Sequence, residues 1–181
     1  MYTEPDVKSS YVENNIGKTI YDFVYNKKPN RVLEFGALNG YSTVCIGQAL
    51  RDVGYGTLVS YDLFEDYPYN NSNYEDVLTT IREYGLIEII DLRKDNYKSV
   101  DIEEEFDMIH LDVSNDGDTI LDILKRFPTS DILFEGGTEE RDNVEWVKKY
   151  NKRKIYPLKD KIGYEIVDER FPGLSLIRGK K

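Results

Sequence analysis

The chain has 181 residues, of which 40% are hydrophobic and 32% are charged, and its formal net charge is −10 at pH 7. This length and composition predict a single folded domain, residues 1–181, and argue against a disordered or membrane-embedded chain. The acidic charge repels a phosphate backbone and so argues against nucleic acid as a partner.

The N-terminal sequence and the cysteine content bear on the compartment. Residues 1–6 have neither the basic region nor the apolar core of a secretory signal, and no apolar run is long enough to span a bilayer. Cys45 is the one cysteine, so it cannot form a disulfide within the chain. These features predict a cytoplasmic protein without a membrane partner, with a flexible segment at residues 1–9.

The first predicted elements are a helix, a strand and a second helix. Apolar residues recur at helical spacing from 12 to 24, and Ser10 with Glu13 has the pattern of a capping box at the start of that helix. An apolar strand follows at 31–35, and a second helix is predicted at about 41–53.

Strands and helices continue to alternate along the chain. Further strands are predicted at 57–62, 86–92, 106–112 and 131–135. Of the helices that follow strands, one has Ser72 and Glu75 as its capping box, and one covers about 138–150. This alternation predicts right-handed crossovers and a parallel sheet. The closing segments 164–168 and 174–178 predict an antiparallel hairpin.

The segment between the first strand and the second helix predicts a ligand-binding turn. Gly36 and Gly40 let the backbone turn sharply and approach a bound molecule without a Cβ atom in the way. The backbone amides from about Asn39 to Ser42 are expected to face the same crevice. Glu34 closes the strand with a carboxylate, which repels a pyrophosphate and attracts a cationic ligand such as a sulfonium. The spacing is GxxxG, which differs from the GxGxxG of dinucleotide-binding folds.

The pattern ExGxxxGxS after a strand resembles the first motif of class I S-adenosylmethionine-dependent methyltransferases. Within it, the run Gly36-Ala37-Leu38-Asn39-Gly40-Tyr41-Ser42 is similar to the catechol-type small-molecule O-methyltransferases. The resemblance covers most of the chain and implies an α/β fold: a Rossmann-like seven-stranded sheet of five parallel strand–helix units with a C-terminal antiparallel hairpin. It also implies S-adenosylmethionine as cofactor, bound by residues 36–40 and Ser42, and methyl transfer to an oxygen or nitrogen of a small-molecule acceptor.

Acidic residues close or follow successive predicted strands. They are Glu34, Asp62, Asp95, Asp112 and Glu135. Ligands in an open α/β sheet bind outside the carboxyl ends of the strands, so we expect these acids to converge on one crevice. Asp62 follows Gly40 by about 20 residues, near the distance at which an acid reaches the ribose of an adenosine cofactor, and the resemblance gives it that role. The resemblance places Asp95 against the adenine; a helix cap or a solvated turn is the alternative.

Asp112 is the most ambiguous of these acids. The resemblance places it beside the methyl and amino end of the cofactor, and in metal-dependent members the acid at this position also binds magnesium. Those members add an Asp-Asn pair after the fifth strand and a lysine base three residues beyond the first acid. This chain has Glu135-Gly136 and Asn115 at those places, so we expect neither the metal site nor the lysine base. The alternative is that Asp112 and Glu135 hold a hard cation together with water and substrate oxygens.

His110 is the only histidine, and it shares a strand face with Asp112 because alternate residues of a strand point to the same side. Its neutral imidazole could take a proton from a phenol, an acid or an amine, so His110 and Asp112 are the candidate catalytic residues. A structural histidine is the alternative. Two other functions stay open: non-catalytic cofactor binding on the same fold, and an NAD-dependent oxidoreductase, which Glu34 and the glycine spacing disfavour.

Tyrosine is abundant, with 15 residues in the chain. Tyr61, Tyr67, Tyr69 and Tyr74 gather around the loop 64–73. This loop could close over a flat substrate; the alternative is that the rings pack locally on a surface connection.

Overall fold

Among the residues that the computed structural model describes, 1–68 and 72–180, seven strands form one sheet. In chain order they are β1 (Arg31–Phe35), β2 (Thr57–Asp62), β3 (Ile90–Lys94), β4 (Met108–Leu111), β5 (Asp131–Glu135), β6 (Glu165–Asp168) and β7 (Leu174–Ile177). The strand order is β3-β2-β1-β4-β5-β7-β6. The pairs β1–β2, β2–β3 and β4–β5 are parallel, whereas β7 is antiparallel to β5 and to β6. The predicted fold class is confirmed.

The same described residues form six α-helices. They are α1 (Ile16–Lys27), α2 (Tyr41–Val53), α3 (Tyr74–Glu83), α4 (Gly117–Arg126), α5 (Glu145–Lys149) and α6 (Lys159–Ile162). The strand β4 is buried along its whole length, as expected for a strand of a parallel sheet that is covered on both faces.

The first predicted capping box is wrong. Residues Val12–Asn14 form a 3-10 turn, and α1 begins only at Ile16. Between them, Asn15 has a φ of 54°, and this left-handed residue prevents one continuous helix from forming. Neither the turn nor α1 has a side-chain cap, so Ser10 and Glu13 do not form the predicted box.

The cap of α3 lies one residue beyond its predicted position. The side chain of Asn73 accepts hydrogen bonds from the amides of Glu75, at 3.0 Å, and Asp76, at 3.3 Å. The hydroxyl of Ser72 donates instead to the carbonyl oxygen of Leu38. Ser72 therefore connects this segment to the glycine turn.

Two other boundaries differ from the prediction. The strand predicted at 86–92 begins later, because Leu86 belongs to the turn after α3, where its amide donates to the carbonyl of Ile81. The helix predicted at about 138–150 is a 3-10 turn, Arg141–Asn143, followed by the short helix α5, because an extended residue separates the two.

The chain divides into two compact units, Met1–Glu104 and Glu105–Lys181, called unit 1 and unit 2. In unit 1, α1 packs on α2, and α2 packs on β2. In unit 2, Ile120 and Ile123 are the fully buried residues with which α4 packs inward. Among the described residues, no helix has both the length and the apolar character needed to cross a membrane.

Candidate functional site

The predicted glycine turn lies between β1 and α2 in unit 1. The backbone φ is 98° at Gly36, 50° at Leu38 and 88° at Gly40. The positive φ at Gly40 favours glycine, and a Cβ atom there would lie 3.0 Å from Cγ1 of Val77, which would have to shift slightly. Leu38 adopts a conformation that is uncommon outside glycine, and its apolar side chain is 41% exposed.

Glu34 lies behind this turn and is fully buried. Its carboxylate accepts hydrogen bonds from the hydroxyls of Ser42 at 2.7 Å, Thr43 at 2.6 Å and Ser60 at 2.6 Å. These bonds connect the end of β1 to the first turn of α2 and to β2. A buried carboxylate needs such donors to compensate for its lost hydration. Contact of Glu34 and Ser42 with a cofactor stays a prediction.

Asp62 closes β2 and holds the glycine turn from the other side. Its Oδ2 accepts a hydrogen bond from the amide of Leu38 at 2.8 Å, and its Oδ1 accepts one from the amide of Phe64 at 2.9 Å. A carboxylate has about four acceptor positions, so these bonds leave capacity for a ligand hydroxyl.

Asp95 joins Asp62 through the backbone, because the Asp95 amide donates to the carbonyl oxygen of Asp62 at 3.0 Å. The carboxylate of Asp95 accepts the amide of Asn96 at 2.6 Å, in a local turn. The side chain is exposed, so it is accessible to a ligand. Its contact with adenine stays a prediction.

The N-terminal segment, predicted to be flexible, also contacts this turn. The amide of the Asn39 side chain donates to the carbonyl oxygen of Lys8 at 3.1 Å. Thr3 and Gln48 exchange two hydrogen bonds, at 2.9 Å and 2.8 Å, so the segment is paired with α2 as well. These contacts connect the first residues of the chain to the predicted cofactor site.

The tyrosines near the loop 64–73 take part in local contacts. The hydroxyl of Tyr61 accepts a hydrogen bond from Nη1 of Arg93 at 2.7 Å, and the hydroxyl of Tyr74 donates to the carbonyl oxygen of Leu92 at 3.1 Å. Tyr69 lies outside the described residues. For Tyr61 and Tyr74 these contacts favour local packing over a role in closing over a substrate.

Glu135 closes β5 in unit 2 and forms a buried ion pair with Arg141. Nη2 of Arg141 donates to Oε2 of Glu135 at 3.0 Å, and Nε donates to Oε1. The turn that brings Arg141 back begins at Gly136 and Gly137, with φ of 107° and 90°. A Cβ atom on Gly137 would lie 2.3 Å from Oγ of Ser175, which leaves room only for glycine.

The candidate groups of unit 2 interact electrostatically. Burial raises the pKa of Glu135 to about 7, the hydrogen bonds from Arg141 oppose this rise, and the negative charge of Asp112 adds to it. The same carboxyl also interacts with His110, which is fully buried in β4. Asp112 is half-buried. Glu135 therefore interacts with both Asp112 and His110, and the catalytic role of His110 and Asp112 stays a prediction.

Asn115, at the place of the family's lysine, connects the ends of two strands. Its side-chain amide donates to the carbonyl oxygens of Leu111 and Glu135, both at 2.9 Å, and its Oδ1 accepts the amide of Val113 at 3.3 Å. Asn115 is buried. It therefore positions the end of β4 against the end of β5.

The sequence indicated the acidic residues of the candidate site, but it did not indicate the side chains that form hydrogen bonds with them. Thr43, Ser60 and Arg141 were not among the predicted site residues, although each contacts an acid that was. A hydroxyl at the start of α2 is a usable signal for Thr43, because that turn was predicted. No local pattern indicates that Arg141 returns to Glu135.

Comparisons with known proteins agree with this architecture. A family model described as "Methyltransferase domain" matches residues 33–134. No curated protein matches the chain.

Solved structures with the same fold include methyltransferases from several organisms. The S-adenosylhomocysteine-bound methyltransferase PaMTH1 of Podospora anserina has a TM-score of 0.66 and 21% identity, over 96% of this chain and 80% of that chain. The O-methyltransferase TomG of Streptomyces achromogenes, in complex with S-adenosylmethionine and involved in tomaymycin synthesis, has a TM-score of 0.61 and 16% identity, over 97% and 83%. An O-methyltransferase of Bacillus cereus in complex with S-adenosylhomocysteine has a TM-score of 0.64 and 17% identity, over 97% and 84%. At these identities the likeness shows the fold.

Proposed function

Because the chain belongs to the methyltransferase domain family, we propose that it transfers the methyl group of S-adenosylmethionine to an oxygen or nitrogen atom of a small molecule. The observation that carries this proposal is the extent of the family match. It runs from β1 into β5 and includes the glycine turn, Asp62, Asp95 and Asp112.

The chemistry of the turn supports this cofactor. In its ionised form, the buried Glu34 carboxylate beside the turn favours a cationic sulfonium or ammonium group and disfavours a pyrophosphate. The bound cofactors of the Podospora, Streptomyces and Bacillus proteins support the same choice. We assign the amino-acid end of the cofactor to residues 36–40, Glu34 and Ser42, and its ribose to Asp62.

The remaining assignments follow the strand ends. Asp95 is exposed and is assigned to the adenine, and Asp112 to the amino end of the cofactor. Asp62 serves a second purpose, because the carboxylate that receives the ribose also fixes the Leu38 amide. Cofactor binding and the shape of the turn are therefore coupled through one side chain.

The proposed chemistry is an in-line displacement in which the acceptor atom bonds to the methyl carbon as the carbon–sulfur bond breaks. The bound cofactor supplies an electrophilic methyl group on a positively charged sulfur. The chain contributes by holding the reactants in line and by removing the acceptor's proton. His110 and Asp112 are the candidate proton acceptors, and Glu135, with a pKa raised by burial to about 7, interacts with both.

Calorimetry with the purified chain tests the cofactor. S-adenosylhomocysteine should bind, and NAD should bind far more weakly. Equal or tighter binding of NAD would overturn the proposal in favour of an oxidoreductase.

A screen with isotopically labelled methyl donor tests the transfer. The acceptors should include phenols, carboxylic acids and amines, because the acceptor atom is an oxygen or a nitrogen. Labelled product from any of these classes supports the proposal. Binding of the cofactor with no transfer to any of them would favour a non-catalytic cofactor-binding protein.

A further inference from the structure

Glu135 ends β5 with both of its carboxylate oxygens engaged by one cation. The guanidinium of Arg141 donates through two nitrogens, and the two side chains are only 9% and 7% exposed. A guanidinium matches the planar shape of a carboxylate, so the pair has a fixed geometry. A divalent ion at Glu135 would compete for the same oxygens and would be repelled by the guanidinium charge.

The chain around Arg141 is held on both sides. The amide of Arg141 donates to the hydroxyl oxygen of Thr138 at 3.2 Å, and the carboxylate of Asp142 accepts the amides of residues 155–156 at 3.0 Å and 2.7 Å. The guanidinium carbon lies 5.1 Å from the centre of the Trp146 ring, within the range of a cation–π contact. Rotation of the Arg141 side chain away from Glu135 would break the contact with Trp146, and movement of its backbone would also break the hydrogen bond to Thr138.

The other oxygen donors near the end of β5 do not offer an alternative site. The carboxamide oxygen of Asn115 is engaged by the amide of Val113. Among the described residues, no group of three or more His, Cys, Asp or Glu side chains is arranged to hold a metal ion. A divalent ion at this strand end would therefore depend on the oxygens of Glu135 and Asp112, with water completing its coordination.

We propose that Arg141 is a resident cation that occupies Glu135 and closes the end of β5 to divalent metal ions. In this arrangement Arg141 is a positioning residue, because it acts through the carboxylate that it holds. The inference depends on the contacts of unit 2 alone. It is therefore independent of the identity of the methyl acceptor.

Binding of Mn²⁺, measured by electron paramagnetic resonance at pH 8 without cofactor or acceptor, tests the proposal. The parent chain should bind Mn²⁺ negligibly at millimolar concentration. Arg141→Met should bind it at least tenfold more tightly, and Glu135→Gln in the same chain should remove the gain. Arg153→Met is the matched control, because it removes an exposed guanidinium paired with Asp118 in the same unit.

Two outcomes would overturn the proposal. One is Mn²⁺ binding by the parent chain that Glu135→Gln abolishes, because Glu135 would then be available despite Arg141. The other is a folded Arg141→Met chain with no gain over the parent. If Arg141→Met does not fold, Arg141→Gln takes its place, since it removes the charge and keeps a polar side chain; a gain over the parent is again expected, and no gain overturns the proposal.

Discussion

Replacing Asp62 by alanine should weaken the binding of S-adenosylhomocysteine and loosen the glycine turn at the same time. The carboxylate accepts the amides of Leu38 and Phe64 within the chain, and we assign the cofactor ribose to its remaining acceptor capacity. One substitution therefore removes an internal restraint and a ligand contact. The two effects can be separated by measuring stability and affinity on the same variant.

The expected size follows from the number and type of hydrogen bonds. A hydrogen bond to a charged group contributes about 1.5 to 3 kcal/mol, so loss of the ribose contact should raise the Kd roughly 10-fold to 150-fold. The internal bond from the Leu38 amide contributes less than this range, because Leu38 is exposed and its amide can turn to water. We expect the free energy of unfolding to fall by about 1 to 3 kcal/mol.

Calorimetry and urea unfolding measure the two quantities. Asp62→Asn should lie between the parent and Asp62→Ala in both, because its carboxamide keeps one acceptor oxygen and loses the charge. Asp22→Ala is the control, since Asp22 forms an exposed ion pair with Lys18 on α1; it should leave the Kd unchanged. An unchanged Kd in a folded Asp62→Ala chain would refute the ribose assignment.

Other measurements address the base, the buried acid, the metal and the N-terminal segment. If His110 takes the acceptor's proton, His110→Ala should lower turnover about 100-fold or more with a much smaller change in Kd, and the pH–rate profile should lose one limb; normal turnover with the same profile would make the residue structural. Because burial raises the pKa of Glu135 from 4.5 to about 7, the protonated carboxyl favours the folded state at low pH, and stability is lost as the pH rises from 4.5 through 7. Urea unfolding at pH 5 and at pH 8 should therefore show a smaller loss for Glu135→Gln than for the parent, and equal losses would contradict the raised pKa. Turnover in EDTA should stay close to turnover in magnesium, and a large loss restored by magnesium would assign a metal to the reaction. Asn39→Ala, which removes the hydrogen bond to the Lys8 carbonyl, should weaken S-adenosylhomocysteine binding by about 0.5 to 1.5 kcal/mol; an unchanged Kd would show that the N-terminal segment does not support the turn.

The fold was predictable because its signals are repeated along the chain. Each buried strand reads as a short apolar run between turns, and each such run predicted a strand of the sheet. Helix starts were less predictable, because they depend on single side chains. Ser72 and Asn73 are both good caps, and the structure uses Asn73 since the Ser72 hydroxyl is engaged by Leu38. That choice depends on a residue far away in sequence.

In the candidate site, too, some residues could be predicted from the sequence and others could not. Glu34 and Asp62 could be singled out because they end strands, and the glycines could be singled out because the turn needs them. Their partners could not, because a hydroxyl such as that of Ser60 has no sequence signal that directs it to Glu34 on the neighbouring strand. Pairing between strands brings them together, and strand register is a tertiary property.

The strand-end acids Glu34 and Glu135 differ in the charge of the groups that donate hydrogen bonds to them. Uncharged hydroxyls donate to Glu34, so in its ionised form this carboxylate keeps a net negative charge, which favours a cation at the end of β1. A guanidinium holds Glu135, so at the end of β5 the ionised carboxylate belongs to a pair with no net charge. The same residue type in the same kind of position therefore produces opposite electrostatic behaviour. Attraction of a sulfonium follows from the first arrangement, and exclusion of a divalent ion follows from the second.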